Sequence, residues 1–381
     1  MRIGVNTLFL VPGDVGGTEI YLRENLKCMV VDNREVTFVL FTSRDNNRLF
    51  CEELSSHKNV EFVQLPFISS FRPLRIIIEQ TLLPWKAWTQ KIDVLWSPGY
   101  TAPLWCSCPQ VVTIHDLQYK THPDDVSFLE RLTLDFLVKN ACRVCDAIIT
   151  VSNFSKVEVV RFNFAPEHKV FVIYEAADPG FGEKSNKDVS SFMDLPPDTP
   201  YILCVAHTYP HKRVHVLVEA FGILADDETM SHHLVLIGKP RRGEDDLQKS
   251  LDTLKNRHKV HRIKVLEYDE LKSIYQHADL FVLPSAYEGF GLPVLEALLA
   301  SVPVITTRNA SLAEVGGEHV FYPVQTTPDS LAESVKEVLS LSQDAREEWI
   351  DQGKTWAMMF SWEKSAGETI KVLNNIASKS S

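Results

Sequence analysis

Short apolar runs alternate with amphipathic stretches along almost the whole chain, and this alternation limits the possible folds more than any other feature. Predicted strands in the first half include the runs "RIGVN", "EVTFVLF", "DVLWSP", "QVVTIHD" and "DAIITVS". Between the first two, Leu22, Leu26, Met29 and Val30 have the spacing of one helix face. Strands that alternate with helices are typical of parallel sheets. The sequence therefore predicts an α/β fold with doubly wound parallel sheets.

The alternation is interrupted once, at residues 181–199. This segment is polar, contains prolines toward its end and lacks a sustained hydrophobic period, which predicts a linker. Strand and helix patterns then resume with "YILCVA", "HLVLIG", "RIKVLE", "DLFVLPS" and "PVITT". We therefore expect two Rossmann-like domains, at residues 1–180 and 200–358, and a final helix at about 360–381 that packs back on the first domain. Because open α/β sheets bind ligands at the carboxyl ends of their strands, a site is expected in a cleft between the domains.

Charge and cysteine content restrict the partners and the compartment. A net charge of −11 over 381 residues argues against nucleic acid as the main partner, because phosphate binding normally needs a basic surplus. The seven cysteines suggest no disulfide framework, and the sequence shows neither a signal peptide nor an apolar run of about 20 residues. These features predict a reduced, cytoplasmic protein. Aromatic and basic residues mix within residues 65–88, which is compatible with peripheral contact to an anionic membrane, although a core-packing helix is the favoured interpretation.

The segment "EGFGLP" joins the apolar run "DLFVLPS" to a predicted helix. Pro293 suits the first helical turn, and the glycines allow the backbone to approach a ligand closely. A helix start presents backbone N–H groups and the positive end of the helix dipole, which favours a phosphate. Glu288 and Glu296 flank this turn, and carboxylates accept hydrogen bonds from hydroxyl groups. A ligand with a central phosphate and hydroxyls at both ends is a nucleotide-sugar.

The two glutamates, within "PSAYEGFGLPVLEALLASVPVI", resemble the signature of the retaining glycosyltransferases of family four. Further segments fall in the order of that family, among them "GGTEIYLREN", "TIHDL", "TVSNFSK" and "HKRVHVLVEAF", so the resemblance covers essentially the whole chain. It implies the GT-B fold, in which two Rossmann-like domains face each other. It also implies transfer of a hexose, such as mannose or glucose, from a GDP- or UDP-sugar to a saccharide or lipid-linked acceptor in cell-surface polysaccharide or glycolipid synthesis. No metal or other cofactor is expected.

The resemblance also assigns roles to individual residues. Glu288 would contact the transferred sugar, Lys212 the donor diphosphate, and His115 the sugar and acceptor. These three form the predicted catalytic set. Glu296 would hold the ribose hydroxyls. The other predicted donor-binding residues are Gly16 and Gly17, in a loop over the phosphates, Arg213, next to the lysine, and the backbone of Gly289, Phe290, Gly291 and Leu292.

Several positions differ from the family pattern. Ala206 stands where glycine is usual, and His207 or His211 where an arginine often assists the lysine. Glu175 and Ala176 replace a common asparagine and glycine. These differences leave open a catalytically inactive sugar-nucleotide-binding protein, and the shared fold leaves open a non-hydrolysing sugar-nucleotide epimerase. A nicotinamide dehydrogenase is disfavoured, because the loop after the first strand lacks the glycine spacing of a dinucleotide-binding motif.

Overall fold

The computed structural model describes residues 1–185, 187, 189, 192–193, 195–196, 199–227 and 229–379. The chain forms two compact units. Unit 1 contains Met1–Glu175 together with the segment that begins at Ser361, and unit 2 contains Ala176–Phe360. Part of the predicted linker at 181–199, and the last two residues of the predicted final helix, lie outside the described residues. Unit 1 is therefore assembled from two stretches of sequence.

A parallel sheet of seven strands forms the centre of unit 1. Its strands are β1 (Arg2–Asn6), β2 (Thr37–Thr42), β3 (Val60–Gln64), β4 (Val94–Ser97), β5 (Gln110–Ile114), β6 (Ala147–Thr150) and β7 (Val170–Val172). They lie in the order β3-β2-β1-β4-β5-β6-β7, so the direction in which the sheet grows reverses between β1 and β4. Strands β4, β5 and β6 are buried at every residue, which explains their continuous apolar sequences. The helices in this part of unit 1 are α1 (Gly17–Asp32), α2 (Asn47–Leu54), α3 (Arg72–Thr89), α4 (Gln118–Thr121), α5 (Phe128–Val144) and α6 (Asn153–Arg161).

Unit 2 is built on a second parallel sheet, of five strands. Its strands are β8 (Tyr201–Val205), β9 (His233–Ile237), β10 (Val260–Ile263), β11 (Leu280–Leu283) and β12 (Val304–Thr306). They lie in the order β10-β9-β8-β11-β12, again with a reversal beside the first strand of the unit. Its helices are α7 (Val214–Ala225), α8 (Glu244–Thr253), α9 (Tyr268–Gln276), α10 (Leu292–Leu299), α11 (Leu312–Gly316), α12 (Pro328–Leu339) and α13 (Gln343–Ala357). Two doubly wound parallel sheets confirm the predicted α/β class and the Rossmann-like character of both halves.

One strand differs from its prediction. The apolar pattern of "RIKVLE" predicts a strand at residues 262–267, whereas β10 ends at Ile263. This strand lies at the edge of the sheet and pairs with β9 alone. Beyond it Val265 is exposed, and Glu267 forms a reciprocal capping box with Glu270 at the start of α9. The helix cap therefore ends the extended segment earlier than the apolar pattern suggests.

The last helix, α14 (Trp362–Ser378), belongs to unit 1. It packs against α1, and its buried face includes Ala366, Ile370 and Leu373, which follow the spacing of one helix side. The side chain of Ser361 caps the helix by accepting a hydrogen bond from the N–H of Lys364. Across the part of the chain that the structure describes, no helix is both long and apolar enough to cross a bilayer.

Candidate functional site

The loop between β11 and α10 is held in a fixed shape. The hydroxyl of Ser311 donates to the carbonyl oxygens of Glu288 and Phe290, at 2.9 and 2.6 Å. Gly291 then precedes α10 with φ at 118°, in a region that favours glycine. A side chain at Gly291 would also approach Leu312 to 3.0 Å. The backbone conformation therefore favours the glycine predicted from the sequence, and a side chain there would also have to displace the end of Leu312 slightly.

Helix α10 begins directly after this loop, with Leu292 and Pro293 in its first turn. Proline is favoured there because the first N–H groups of a helix have no partner within the helix. The start of the helix also carries the positive end of its dipole. Gly289, Phe290 and Gly291 thus lead the backbone into a helix start of the kind that binds phosphate groups.

Glu288 and Lys212 form a largely buried ion pair in unit 2. The Nζ atom of Lys212 lies 2.6 Å from Oε2 of Glu288. The hydroxyl of Ser285 donates to the other oxygen, Oε1, at 2.8 Å. Lys212 ends a 3₁₀ turn after β8, and the N–H of Ala286 donates to the carbonyl of His211 in that turn at 2.7 Å. The structure therefore brings together two residues that are 76 positions apart in sequence and that the sequence singles out for one site.

Arg213 follows the lysine in an unusual backbone conformation. Its φ is 51° and its ψ is 33°, in the left-handed region, at the position that precedes α7. For a residue other than glycine this conformation costs on the order of 1 kcal/mol. This left-handed conformation turns the chain from the 3₁₀ turn, which ends at Lys212, into α7. The donor-binding role of Arg213 itself stays a prediction.

Glu296, in the middle of α10, is buried and has a different partner. The hydroxyl of Tyr275 donates to its Oε2 atom at 2.7 Å. The pKa of Glu296 is raised to about 7, chiefly by burial and in small part by the negative charge of Asp178, whereas the Tyr275 hydrogen bond opposes the shift. The ring of Tyr275 packs edge-on against Phe181. A buried carboxylate with one hydroxyl donor has capacity for further donors, such as the hydroxyl groups of a sugar.

His115 lies in unit 1, directly after β5, and is buried with both ring nitrogens engaged. Nε2 is 2.9 Å from the carbonyl oxygen of Pro98, and Nδ1 is 2.9 Å from Oε1 of Glu175. Because a carbonyl oxygen only accepts, Nε2 must carry a proton. The other ring nitrogen, Nδ1, faces the Glu175 carboxyl group, so both nitrogens of the ring have partners. The rings of Tyr21 and Tyr100 pack against the imidazole, with centroids 4.8 and 5.3 Å away.

Glu175 is a residue whose role the sequence does not reveal. It appears there as a departure from a family pattern, and the structure makes it the partner of His115. A carboxylate shortly after one strand, in a sheet where a histidine follows another strand, is the signal that points to such a pair. Tyr275 and Ser311 support the site from outside the quoted motifs, and Ser285 lies within the glutamate motif but has no role assigned from the sequence.

The glycines near the first strand also lie in unit 1. Gly16, immediately before α1, has φ at 60°, and no atom lies within 4 Å of the position that a side chain would occupy. Conformation rather than space therefore favours glycine at this position. Gly17 is the first residue of α1. Glu19, in the first turn, accepts a hydrogen bond from the N–H of Gly13 at 2.8 Å and thereby closes the loop on the helix start.

The departure at Ala206 and His207 has a structural counterpart. The Nδ1 atom of His207 accepts a hydrogen bond from the N–H of Lys239 at 3.1 Å. Gly238, with φ at 152°, lies so close to Ala206 that a side chain there would meet the Ala206 carbonyl at 2.1 Å.

Within the described ranges no group of three or more His, Cys, Asp or Glu residues has the arrangement of a metal site. Metal independence itself stays a prediction.

The fold is shared with glycosyltransferases of known structure. HepE from Anabaena, solved in complex with UDP-glucose, superposes with a TM-score of 0.75 over 98% of this chain and 100% of that chain, at 18% identity. Sucrose-phosphate synthase from Thermosynechococcus elongatus gives a TM-score of 0.78 over the full length of both chains, at 17% identity. Two doubly wound sheets, with a helix-start site in the second, place the protein in the GT-B fold class.

Sequence comparison identifies the family. The model of "Glycosyltransferase Family 4" matches residues 15–181, and that of "Glycosyl transferases group 1" matches residues 187–356. An O-antigen chain mannosyltransferase B from Escherichia coli is 30% identical over 68% of each chain, and an uncharacterised glycosyltransferase from Methanocaldococcus jannaschii is 30% identical over 70% of this chain and 69% of its own length. The O-antigen chain mannosyltransferase RfbU from Salmonella typhimurium is 27% identical, and the match spans 61% of each chain. The protein therefore belongs to glycosyltransferase family four, a family of enzymes.

Proposed function

We propose that the protein is a retaining, metal-independent glycosyltransferase that moves a hexose, mannose or glucose, from a nucleoside-diphosphate sugar to a saccharide or lipid-linked acceptor. The observation that carries the proposal is the buried Lys212–Glu288 pair beside the start of α10, with Glu296 one turn further along the helix. A cation, a helix start and two separate carboxylates match a ligand with a central diphosphate and hydroxyl groups at both ends.

The donor diphosphate would take the place of Glu288 as the partner of Lys212. Glu288 would then be free to accept hydrogen bonds from the transferred sugar, while Glu296 accepts them from the ribose. Lys212 and the start of α10 supply the positive charge that stabilises the leaving diphosphate, so no divalent ion is needed. The predicted roles of His115, Gly16, Gly17 and Arg213, and of the backbone from Gly289 to Leu292, form part of the same proposal.

Retention of configuration would follow from attack on the face from which the diphosphate leaves. In this step the bond from the anomeric carbon to the diphosphate breaks, and a bond to the acceptor oxygen forms. The leaving diphosphate takes the proton of the acceptor hydroxyl, so no protein nucleophile is required.

Two comparisons support the choice of substrates. Mannosyltransferases of O-antigen chains are among the sequence relatives, which favours mannose and a role in cell-surface polysaccharide synthesis. A structural neighbour carries UDP-glucose, which favours a nucleotide-sugar donor in general and leaves both GDP and UDP as candidate nucleotides.

The same proposal includes a cytoplasmic enzyme in peripheral contact with an anionic membrane. Among the described residues, six of the seven exposed Phe and Trp side chains lie between Phe71 and Phe136, and the seventh is Phe171. Helices α3 and α5 contain six basic and three acidic residues, whereas the whole chain has 39 basic and 50 acidic residues. An exposed aromatic surface with a local basic surplus is typical of proteins that lie on anionic lipids. Phe67, by contrast, is buried and belongs to the core.

The experiment that tests the proposed chemistry measures nucleoside diphosphate release from a panel of UDP- and GDP-sugars in EDTA, with and without added acceptor saccharides. Release from one donor, with the anomeric configuration of the donor kept in the product by NMR, is the expected result. Loss of release in EDTA would contradict metal independence, and inversion would contradict the retaining mechanism. Saturable donor binding without turnover under every condition would favour the inactive binding protein, and isomerisation of the donor without acceptor would favour the epimerase.

Membrane contact is tested separately by co-sedimentation with vesicles. We expect binding to phosphatidylglycerol vesicles that exceeds binding to phosphatidylcholine vesicles and that falls in Trp88→Glu and Phe128→Glu. Phe171→Glu is the matched control, because it places the same charge on an exposed aromatic position outside this surface. Equal binding by all three variants would contradict the contact.

A further inference from the structure

Cys106 and Cys108 form a pair of thiols in the loop that joins β4 to β5. Their Sγ atoms lie 3.5 Å apart, a distance at which one thiol can donate to the other. Both cysteines are free and partly exposed, and they pack against the apolar cluster that includes Leu83 of α3 and Leu95 of β4. A single residue separates them, and the chain bends at Ser107 and Cys108, so the two side chains meet.

The two thiols are not equivalent. When Cys106 is ionised, the thiol of Cys108 can donate to its sulfur. This hydrogen bond lowers the pKa of Cys106, burial opposes the shift, and the N–H groups of Cys108 and Ser107 support it. The same contact raises the pKa of Cys108, as does burial. Because the thiolate is the nucleophilic form of cysteine, Cys106 is the attacking thiol of the pair and Cys108 is the resolving thiol.

A second pair, Cys142 and Cys145, has the spacing of many redox motifs but a different environment. Both side chains are buried in an apolar cluster of unit 1, at the end of α5. Burial raises the pKa of both thiols, that of Cys142 to about 12. Cysteines buried in apolar surroundings are inert toward reagents in solution. Thiol chemistry is therefore expected at Cys106 and Cys108, rather than at the pair with the more familiar spacing.

The number of ligands nearby argues against a structural metal at this pair. Structural zinc takes four ligands from cysteine, histidine or carboxylate side chains. Where the structure describes the chain, no group of three or more His, Cys, Asp or Glu residues could hold a metal ion. Two adjacent thiols outside such a group are suited instead to forming a disulfide with each other.

The loop around the pair is anchored, so a disulfide there would be strained. Gln80 of α3 accepts from the N–H of Leu104 at 2.8 Å and donates to the carbonyl of Ala102 at 3.1 Å. The side chain of Gln110, the first residue of β5, donates to the carbonyl of Pro103 at 3.1 Å. A bond requires the sulfurs to approach from 3.5 Å to about 2 Å, in a segment that has little freedom to adapt. Because strained or exposed disulfides are the easily reduced ones, a bond formed here would be reversible.

We propose that Cys106 and Cys108 are a reversible redox pair whose oxidant is a low-molecular-weight disulfide. The Cys106 thiolate attacks one sulfur of the reagent, whose S–S bond breaks. A mixed disulfide forms on Cys106, and the departing thiolate takes up the proton that Cys106 released. Cys108 then loses its proton and attacks the Cys106 sulfur, and the second half of the reagent leaves as a thiol. The protein thus gives two electrons and two protons to the reagent. This chemistry needs no sugar donor or acceptor, so it is independent of the proposed transferase activity.

The first experiment treats the reduced protein with glutathione disulfide at pH 7, blocks the remaining thiols with N-ethylmaleimide and maps tryptic peptides by mass spectrometry. Residues 92–120 form one tryptic peptide, which contains both cysteines of the pair and no other cysteine. In the wild type we expect this peptide to lack two hydrogens, as an internal disulfide does, and to regain them in excess reduced glutathione. Cys51, which is also partly exposed, is the matched control and should react at least about tenfold more slowly than Cys106.

Single variants test the two roles. Cys108→Ser should accumulate the mixed disulfide of glutathione with Cys106, because the second attack cannot occur. Cys106→Ser should react at Cys108 at least about tenfold more slowly than Cys108→Ser reacts at Cys106, because the remaining thiol is less ionised. Circular dichroism verifies that both variants are folded, and the wild-type measurement does not depend on either of them.

Each part of the proposal has an outcome that would overturn it. Absence of the internal disulfide in the treated wild type, or equal reaction rates at Cys106 and Cys51, would overturn the redox pair. Equal rates in the two single variants would overturn the assignment of Cys106 as the attacking thiol. A disulfide that persists in excess reduced glutathione would overturn the reversibility.

Discussion

Each unit contains a buried pair of a basic side chain and a carboxylate at the carboxyl edge of its sheet. The two pairs differ in the number of N–H donors that remain for a ligand. In unit 1, both ring nitrogens of His115 have partners, and only 6% of the side chain is exposed. In unit 2, the ammonium of Lys212 has three donors, its contact with Glu288 uses one, and 19% of the side chain is exposed. The first pair is closed, whereas the second can exchange its carboxylate for another anion. Similar chemistry thus suits positioning in one unit and ligand exchange in the other.

The largest expected effect comes from breaking the exchangeable pair. Glu288→Gln should lower kcat by roughly 100-fold to 1,000-fold, the range found when one group that stabilises a transition state is removed. Donor affinity should stay the same or increase, because Lys212 is released for the diphosphate. Steady-state kinetics and donor titration measure the two effects separately. Ser285→Ala, which removes the hydrogen bond to Glu288 but keeps its charge, is the matched control and should lower kcat less. Full activity of a folded Glu288→Gln protein would reject the catalytic assignment.

The second prediction concerns Glu296, whose carboxylate accepts a hydrogen bond from the neutral hydroxyl of Tyr275. Its folded pKa of about 7 lies above the ordinary value of 4.5, so the folded protein holds this proton more tightly than the unfolded chain does. The resulting stabilisation is present below about pH 4.5 and is lost as pH rises through about 7. The Glu296→Gln variant is neutral at every pH and does not lose this stabilisation. Between these pH values, its free energy of unfolding should therefore rise relative to that of the wild type by roughly 3 kcal/mol. Denaturant unfolding of the ligand-free protein at pH 5 and pH 8 measures the gain.

The exposed Glu333 on α12 supplies the control for that experiment. Glu333→Gln should show no comparable gain between the two pH values. Donor affinity of the wild type should increase with pH up to about 7, because ionised Glu296 accepts hydrogen bonds from hydroxyl groups better than the protonated form. If the free energies of unfolding of Glu296→Gln and the wild type differ by the same amount at both pH values, the raised pKa of Glu296 is contradicted.

The smallest effect is expected from the closed pair. In Glu175→Gln, the amide can donate to Nδ1 of a neutral His115 while Nε2 still donates to Pro98, so stability should change by less than about 1 kcal/mol. Glu175→Ala leaves Nδ1 buried without a partner and should cost about 1–3 kcal/mol. Denaturant unfolding compares the two variants. Equal losses would show that charge, rather than hydrogen bonding, holds the pair together, and would remove the difference between the units.

The sequence predicted the local parts of the site better than the contacts that connect them. Glu288, Gly291 and Glu296 lie within one strand, turn and helix, where hydrophobic period and glycine position define the geometry. Tyr275 reaches Glu296 from another helix, and Ser311 contacts the loop before α10 from a later part of the chain. Such contacts depend on how helices pack on the sheet, which one sequence does not specify. The end of β10 was misplaced for a similar reason, because a helix cap rather than apolar character determines where the strand stops.

The fold class followed from patterns that repeat along the chain. Alternating apolar and amphipathic stretches predicted both parallel sheets, because the connection between parallel neighbours is usually a crossover helix. The partnership of Glu175 with His115 could not be predicted in this way, because the two residues follow different strands, 60 positions apart. The sequence predicted a histidine with a role at the site, but not the carboxylate that fixes its ring.

The placement of α14 in unit 1 also determines the order in which the protein can mature during synthesis. The surface of α1 against which α14 packs is made before unit 2, and the helix that covers it is made after unit 2. All of unit 2 is translated in between. While unit 2 emerges from the ribosome, unit 1 therefore exposes an apolar surface to other chains and to chaperones. Unit 2, which is continuous in sequence, can complete its core before the domain that precedes it.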